Sequence, residues 1–334
     1  MMNSPVHPGK ILILHSGGIG DLLLALSAMR MFRRAFPYAT LEMMGRPERL
    51  ALVAHDLRAS LLHSIDQAGM SYFYLDEPSL PPGLCRFFSS FGWILSFGRT
   101  GAETVAKNLK KAGAGRPLTI SSFPPPGLRV HVSDYLVESL RREEIKGEAP
   151  DHPLELPEEA LAFAGDYLQG FGEKGNKPIL TIHPGSGSPA KNWPAENFAA
   201  VADWANDRAR IVLISGPADG GAETVKRAMK KAHPLPADNL PLIGLAGILK
   251  YSRVYLGNDS GITHLAASLG LPTVALFGPT DPAVWGPRGA AVRILHERNS
   301  CPPGAFEPQS HECDPWRINI DPDEVNQILA PLLA

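Results

Sequence analysis

An acidic side chain follows a glycine-rich turn close to the start of this chain. Residues 16–21 read Ser-Gly-Gly-Ile-Gly-Asp and come directly after an apolar run at 10–14. Glycines in such a turn let the backbone approach a ligand closely. A carboxylate at the mouth of a parallel sheet is well placed as a general base, and Asp21 can equally be a helix cap. The residues alone leave both interpretations open.

The first turn differs from the common nucleotide-binding fingerprints. The G-x-G-x-x-G spacing fails, and no acidic residue closes the second predicted strand at the expected offset. The lysine and hydroxyl of a Walker loop are also missing from residues 16–21. The sequence therefore disfavours a dehydrogenase.

A second loop carries hydroxyl groups, glycines and a lysine. Residues 183–194 read His-Pro-Gly-Ser-Gly-Ser-Pro-Ala-Lys-Asn-Trp-Pro and follow the apolar run 178–182. Backbone amides and hydroxyls of this kind can hold a diphosphate, and Lys191 can neutralise a leaving phosphate. The alternative is a polar connection in which Trp193 only packs.

Two further clusters gather small polar residues at predicted strand ends. Residues 257–264 read Gly-Asn-Asp-Ser-Gly-Ile-Thr-His, and residues 277–282 read Phe-Gly-Pro-Thr-Asp-Pro. The first cluster precedes an apolar helix predicted at 265–269, so its amides and hydroxyls suit an anion at a helix N-terminus. His264 can instead be a packing residue. Four such clusters, each at a strand end, are far less expected by chance than any one.

Alternating strands and helices position these clusters in both halves of the chain. Each half opens with a strand, a glycine-containing turn, a helix and a second strand. This alternation predicts an α/β protein with ligands at the carboxyl ends of its strands. The predicted strands are 10–14, 40–44, 178–182, 211–214, 252–256 and 273–277, and the predicted helices include 22–36 and 195–206.

Length, charge and cysteine usage narrow the class of protein. A chain of 334 residues suits two domains, and a net charge of -2 gives no general reason to bind nucleic acid. No apolar run reaches the roughly 18 residues that a membrane span requires, and the first residues do not read as a signal peptide. We therefore expect a cytoplasmic protein. Cys85, Cys301 and Cys313 predict free thiols rather than a disulfide framework or a zinc site.

Together these motifs resemble the bacterial ADP-heptose:lipopolysaccharide heptosyltransferases. The matching stretches lie at 18–21, 183–187, 189–194, 259–267 and 277–282. The resemblance implies an α/β fold of GT-B type, with two doubly wound Rossmann-like domains facing a central cleft. It also implies an acceptor-binding domain at 1–172, a nucleotide-sugar donor domain at 173–320, and a C-terminal helix at 321–334 that packs back on the N-terminal domain.

The resemblance also implies roles for single residues. Asp21 takes the position of the catalytic base, and Lys191 acts on the diphosphate. The donor-binding positions are Gly18, Gly20, Ser186, Gly187, Ser188, Asp219, Asp259, Ser260, Gly261 and His264. The acceptor-binding candidates are Arg46, Arg49 and Arg99, although a charge cluster is more often a solvated face.

The implied reaction is an inverting transfer of a sugar, with heptose from ADP-heptose as the expected donor. The implied partners are this nucleotide sugar and a lipid-linked or glycan acceptor such as the lipopolysaccharide core, with peripheral contact at the inner face of the cytoplasmic membrane. Two alternatives stay open: a sugar-nucleotide epimerase on the same fold, and a non-catalytic nucleotide-sugar binding protein.

No cofactor and no metal are expected, although one motif argues the other way. Residues 321–323 read Asp-Pro-Asp, the acidic pattern with which other glycosyltransferases hold a divalent metal on the diphosphate. Its setting favours a helix start instead. Asp321 can cap a helix, and Pro322 fits the first helical position.

Overall fold

The computed structural model describes residues 9–66, 69–98, 102–170, 177–216, 221–296 and 318–334. The chain divides into two compact units, Met1–Glu155 (unit 1) and Leu156–Ala334 (unit 2). None of the helices in the described ranges combines the length and apolarity that a membrane crossing requires.

Unit 1 is built on a parallel sheet. Its strands in the described residues are β1 (Lys10–His15), β2 (Thr40–Gly45), β3 (Leu61–Ser64), β4 (Trp93–Gly98) and β5 (Arg116–Ser121). Their order is β3-β2-β1-β4-β5. The chain adds strands on one side of β1 first and then on the other, so the strand order reverses between the parallel neighbours β1 and β4. Residues 11–15 of β1 are buried, as the apolar run predicts for a central parallel strand.

The helices of unit 1 cover this sheet. They are α1 (Ile19–Leu24), α2 (Leu26–Ala35), α3 (Pro47–Leu57), α4 (Pro82–Phe88), α5 (Ala102–Lys111) and α6 (Val132–Arg142), with a 3-10 turn at Met70–Tyr74. The single helix predicted at 22–36 is two helices that meet at Ala25. Arg33 and Arg34 lie in the last turn of α2, where positive charge complements the helix dipole.

Unit 2 repeats the design with a larger sheet. Its strands in the described residues are β6 (Ile179–His183), β7 (Arg210–Ser215), β8 (Leu235–Asp238), β9 (Val254–Asn258), β10 (Thr273–Phe277) and β11 (Val292–His296). They are parallel, in the order β11-β10-β9-β6-β7-β8, and the reversal falls between β6 and β9. Both strand orders are doubly wound, as predicted.

The helices of unit 2 flank this sheet. They are α7 (Glu158–Gln169), α8 (Ala195–Ala205), α9 (Gly221–Ala228), α10 (Leu242–Tyr251), α11 (Gly261–Ser268), α12 (Pro282–Trp285) and α13 (Pro322–Leu329), with 3-10 turns at Pro189–Lys191 and Ala330–Leu332.

The observed boundary between the units lies after Glu155, which corrects the predicted division after residue 172. Helix α7 packs so closely along α10 that a Cβ atom on Gly247 would lie 2.1 Å from the carbonyl oxygen of Ala160. This packing makes α7 part of unit 2. The boundary therefore falls in the charged, proline-rich stretch 147–157, not in the Gly/Lys-rich stretch 170–177.

The final helix begins as predicted but is part of unit 2. The Asp321 carboxylate accepts a hydrogen bond from the backbone N–H of Asp323 at 2.9 Å, and Pro322 occupies the first helical position. The capping interpretation of this motif is confirmed. Val325 and Leu329 are fully buried in the apolar core of unit 2. The apolar face of α13 is therefore part of the core of unit 2.

Candidate active site

Asp21 lies in the first turn of α1, where its side chain caps the start of the helix. Its Oδ2 accepts a hydrogen bond from the backbone N–H of Gly18 at 3.0 Å. Gly18 is the N-cap residue with an extended backbone, and Asp21 stands three positions later, as in a capping box. The cap is therefore confirmed. A cap of this kind also fixes the orientation of the carboxylate, which a general base requires.

Asp21 lines a pocket of about 500 Å³ in unit 1. The walls come from the loop after β1, the end of β4, β5 and the 3-10 turn before α4. A pocket beside the point where the strand order reverses is where open α/β sheets bind ligands. The lining includes His15, Gly18, Arg49, Tyr74, Phe97 and Thr119.

Gly17 fits closely between two side chains of the pocket. A Cβ atom at this position would lie 2.9 Å from Asp21 Oδ2 and 3.0 Å from His15 Cε1. The Gly17 carbonyl oxygen accepts a hydrogen bond from Arg49 Nη1 at 2.8 Å. A larger residue would displace the carboxylate or the imidazole, so the glycine turn serves the geometry of Asp21.

His15 is a buried histidine whose role the sequence did not predict. Its ring packs edge-on against Phe97, with ring centroids 5.6 Å apart. Burial lowers the pKa of His15 to about 4, because the protonated ring would lose its hydration, and the Asp21 carboxylate offsets this only in part. His15 is therefore neutral near pH 7. The only sequence signal was a histidine at the end of an apolar strand.

Only some of the other residues predicted in unit 1 line this pocket. Arg49 lines the pocket, whereas the exposed Arg46 is the N-cap residue of α3 and is not among the described residues that line it. Gly20 is the second residue of α1. Arg99 lies outside the described residues.

In unit 2, the loop after β6 folds into a hydroxyl-rich turn. Ser186 Oγ donates to the carbonyl oxygen of Ser188 at 2.7 Å and accepts from the Ser188 N–H at 3.2 Å. A Cβ atom on Gly187 would meet nothing within 4 Å, so the turn has open space beside it. The following 3-10 turn brings Lys191 Nζ to 2.6 Å from Asp259 Oδ2.

Asn258, the last residue of β9, braces this loop. Its side chain is fully buried, Nδ2 donates to Pro184 O at 2.7 Å, and Oδ1 accepts from the Trp193 N–H at 3.0 Å. Trp193 is buried as well, and its indole N–H donates to Ile320 O at 3.0 Å. The packing interpretation of Trp193 is confirmed. The role of Asn258 was not predicted.

Ser260 caps α11, which begins at Gly261 rather than at the predicted residue 265. Ser260 Oγ accepts from the Thr263 N–H at 3.3 Å and lies 3.3 Å from His183 Nδ1. His264 is buried one turn into the helix. Since His183 in β6 pairs with Gly257 in β9, the predicted residues of both loops meet at one end of the sheet. A helix N-terminus at this place favours an anion.

Asp219, Cys301 and Cys313 lie outside the described residues. Within the described ranges, no group of three or more His, Cys, Asp or Glu side chains is arranged to hold a metal ion.

Comparison with known proteins relates this chain to sugar-transferring enzymes. The profile of glycosyltransferase family 9 (heptosyltransferase) matches residues 124–313. The chain is 29% identical over 204 residues to lipopolysaccharide heptosyltransferase 1 of Pseudomonas aeruginosa. That match covers 60% of this chain and 56% of the relative.

Two solved structures share the fold. The glycosyl transferase family 9 protein from Veillonella parvula superimposes with a TM-score of 0.79 at 21% identity over 97% of both chains. The E. coli heptosyltransferase WaaC with ADP superimposes with a TM-score of 0.65 at 17% identity, over 97% of this chain and 99% of the other. These matches confirm the predicted GT-B type α/β fold. Because the family profile covers more than half of the sequence, this chain belongs to glycosyltransferase family 9, the heptosyltransferase family.

Proposed function

We propose that this chain is an inverting glycosyltransferase that moves heptose from ADP-heptose to a lipopolysaccharide-core or related glycan acceptor. The observation that carries the proposal is the Asp21 carboxylate, held by the Gly18 N–H at 3.0 Å in the wall of a pocket of about 500 Å³. The lipopolysaccharide heptosyltransferase of P. aeruginosa and the ADP in the WaaC structure support the choice of sugar, acceptor and nucleotide.

Asp21 acts as the general base. It removes the proton from the acceptor hydroxyl as that oxygen attacks the anomeric carbon of the donor sugar. A protonated imidazole nearby would stabilise the carboxylate and weaken it as a base. Burial keeps His15 neutral, so the imidazole adds no positive charge beside Asp21.

Lys191 receives the diphosphate in unit 2. Its ammonium group is aimed by the contact with Asp259 at 2.6 Å, and the amides of the serine turn and of the α11 N-terminus lie on neighbouring loops. A carboxylate accepts hydrogen bonds and repels phosphate, so Asp259 suits hydroxyl groups of the donor rather than its phosphates.

The transfer is a single displacement. The new glycosidic bond forms as the bond from the anomeric carbon to the diphosphate oxygen breaks, the acceptor proton passes to Asp21, and the electron pair leaves on ADP. The transition state is oxocarbenium-like, as in glycoside hydrolysis. Lys191 and the loop amides stabilise negative charge that grows on the diphosphate only during the reaction.

The family match favours transfer over the two alternatives that the sequence left open. A sugar-nucleotide epimerase would change the donor without an acceptor, and a non-catalytic binding protein would bind the donor and form no product. Because lipopolysaccharide acceptors are lipid-linked, peripheral contact with the inner face of the cytoplasmic membrane is part of the same proposal.

The test is a transfer assay with the whole chain. ADP-heptose and lipopolysaccharide from a heptose-deficient strain should give ADP and an acceptor heavier by one heptose, with the opposite anomeric configuration. UDP- and GDP-sugars at the same concentration serve as controls for the nucleotide. An epimerised ADP-sugar formed without acceptor, or donor binding without any product, would contradict the proposal.

A further inference from the structure

We propose that Tyr74 is the sugar-binding wall of the pocket in unit 1, and that Asn108 is the positioning residue that holds it there. This inference rests on the proposed function, since it takes the ligand of that pocket to be the acceptor glycan. It assigns acceptor recognition to an aromatic side chain that lies far from Asp21 in sequence.

Tyr74 stands at the rim of the pocket that Asp21 lines. It is the last residue of the 3-10 turn Met70–Tyr74, and 54% of it is exposed. Its neighbour Phe73 is fully buried and packs edge-on against Phe88, with ring centroids 4.8 Å apart. Phe73 thus anchors the turn in the core, and Tyr74 remains accessible to a ligand.

The chemistry of the pocket suits a sugar ring. Pyranose rings carry hydroxyl groups around their edge and have an apolar C–H face that stacks on aromatic rings. Tyrosine offers a large, rigid and amphipathic surface at a low cost in conformational entropy. In the described part of the chain, the buried Thr119 hydroxyl on the same pocket has no hydrogen-bond partner.

Asn108 fixes the backbone on both sides of Tyr74. It is fully buried on α5, and its Nδ2 donates to Phe73 O at 3.1 Å and to Leu75 O at 2.9 Å. Its own Oδ1 has no hydrogen-bond partner among the described residues, which costs stability. The contribution of this buried amide is therefore its two donated hydrogen bonds. Both hold Phe73 and Leu75, the residues on either side of Tyr74.

The first test compares Tyr74→Ala with Tyr72→Ala. Tyr72 is a neighbouring tyrosine, 39% exposed, that is not among the described residues lining the pocket. The substrates are ADP-heptose and the deacylated oligosaccharide of heptose-deficient lipopolysaccharide. Tyr74→Ala should raise the KM for the oligosaccharide by about 10-fold or more and leave the KM for ADP-heptose unchanged, because one aromatic face is lost. Tyr74→Phe should retain most of the affinity, and Tyr72→Ala should match the wild type.

The second test asks whether the effect of Asn108 on the acceptor depends on Tyr74. Asn108→Ala should raise the same KM, and this increase should disappear when Tyr74 is already alanine, since the two residues act as one unit. Leu140→Ala, a core change in α6 of the same unit, controls for lost stability. It should lower the melting temperature without changing the KM for the oligosaccharide.

The outcomes separate this inference from the proposed function. If the wild type transfers heptose but Tyr74→Ala and Tyr72→Ala have equal KM values for the oligosaccharide, the role of Tyr74 is wrong and the proposed function stands. If Asn108→Ala raises that KM equally with and without Tyr74, the positioning role is wrong. A wild type that neither transfers heptose nor binds the oligosaccharide in calorimetry overturns both.

Discussion

The two sheet ends that carry the predicted residues present different chemical groups to a ligand. In unit 2, Asn258 and the Lys191–Asp259 pair tie the loop after β6 to the end of β9. In the described residues of unit 1, the Thr119 hydroxyl has no partner and Tyr74 is more than half exposed. Unit 2 thus presents a lysine held by a carboxylate, whereas unit 1 presents an exposed aromatic ring in a pocket with a carboxylate held by a backbone N–H.

This difference fits two kinds of ligand. A diphosphate is small and densely charged, and it gains most from charges and amides that need no rearrangement. A sugar ring is larger and uncharged, and each of its many hydroxyl groups forms only a weak hydrogen bond. It therefore suits a pocket with an aromatic wall and polar positions. Substitutions in either unit test this division of ligands.

The largest effect is expected at Asp21. Asp21→Asn should lower turnover by about 10²–10⁴-fold, which is the usual contribution of a general base. The amide oxygen can still accept from the Gly18 N–H, so the melting temperature should stay close to that of the wild type. Steady-state rates and thermal unfolding measure the two quantities. A loss of turnover below tenfold would leave Asp21 as a helix cap only.

Acid should weaken unit 1 through His15. The folded-state pKa of His15 is about 4 and its ordinary value is 6.5, so between these values the unfolded chain binds a proton that the folded chain does not. The free energy of unfolding should therefore fall as the pH drops from 6.5 to 4, by about 3 kcal/mol in all from this group. The contribution levels off above about pH 7.5, where the histidine is unprotonated in the unfolded chain as well.

Hydrogen exchange of the β1 amides, followed against pH, measures this loss in unit 1. Other groups also titrate in this range, so the informative quantity is the difference between the wild type and His15→Gln, which should show a shallower slope. The exposed His233→Gln in unit 2 is the matched control and should follow the wild type. Equal slopes for His15→Gln and the wild type would show that His15 is not held neutral.

At Lys191 the expected effect is smaller. Lys191→Ala should reduce turnover about 10–100-fold, since one charge-assisted contact to the diphosphate is lost. Lys191→Arg should recover part of the rate. The control is Lys226→Ala, which removes an exposed lysine of α9. If Lys191→Ala turns over as fast as Lys226→Ala, the lysine does not act on the donor.

Removal of metal should have no effect. Asp321 and Asp323 form a helix start in the structure, and the proposed site already supplies positive charge to the diphosphate through Lys191. Protein stripped of metal and assayed in excess chelator should keep its turnover. Activity that disappears and returns with magnesium or manganese would contradict this prediction, and loss of that rescue in Asp323→Asn would locate the metal at α13.

Local patterns predicted the elements that depend on local chemistry. The apolar runs and glycine turns gave β1, β6 and the loops that follow them, because a buried parallel strand must be apolar on both faces. The cap at Asp321 followed from the residues next to it. The predicted boundary between the units was wrong, because α7 packs on α10 where Gly247 lies against Ala160. No local sequence pattern reveals this contact.

Residues whose function depends on distant neighbours were not predictable in this way. His15 is neutral because the fold buries it, and nothing in its sequence neighbourhood states that burial. Asn258 and Asn108 each bond to backbone groups far away along the chain. Tyr74 reaches the pocket of Asp21 only because β4, β5 and α5 bring the two segments together.

The binding of ADP to four proteins tests the central claim that unit 2 holds the nucleotide and unit 1 holds the acceptor. Calorimetric titrations should give the same ADP affinity for the wild type, Asp21→Asn and Tyr74→Ala, and an affinity about 10-fold weaker or more for Lys191→Ala. Unchanged affinity in Lys191→Ala, or an equal loss in Asp21→Asn, would contradict the division of roles proposed for the two units.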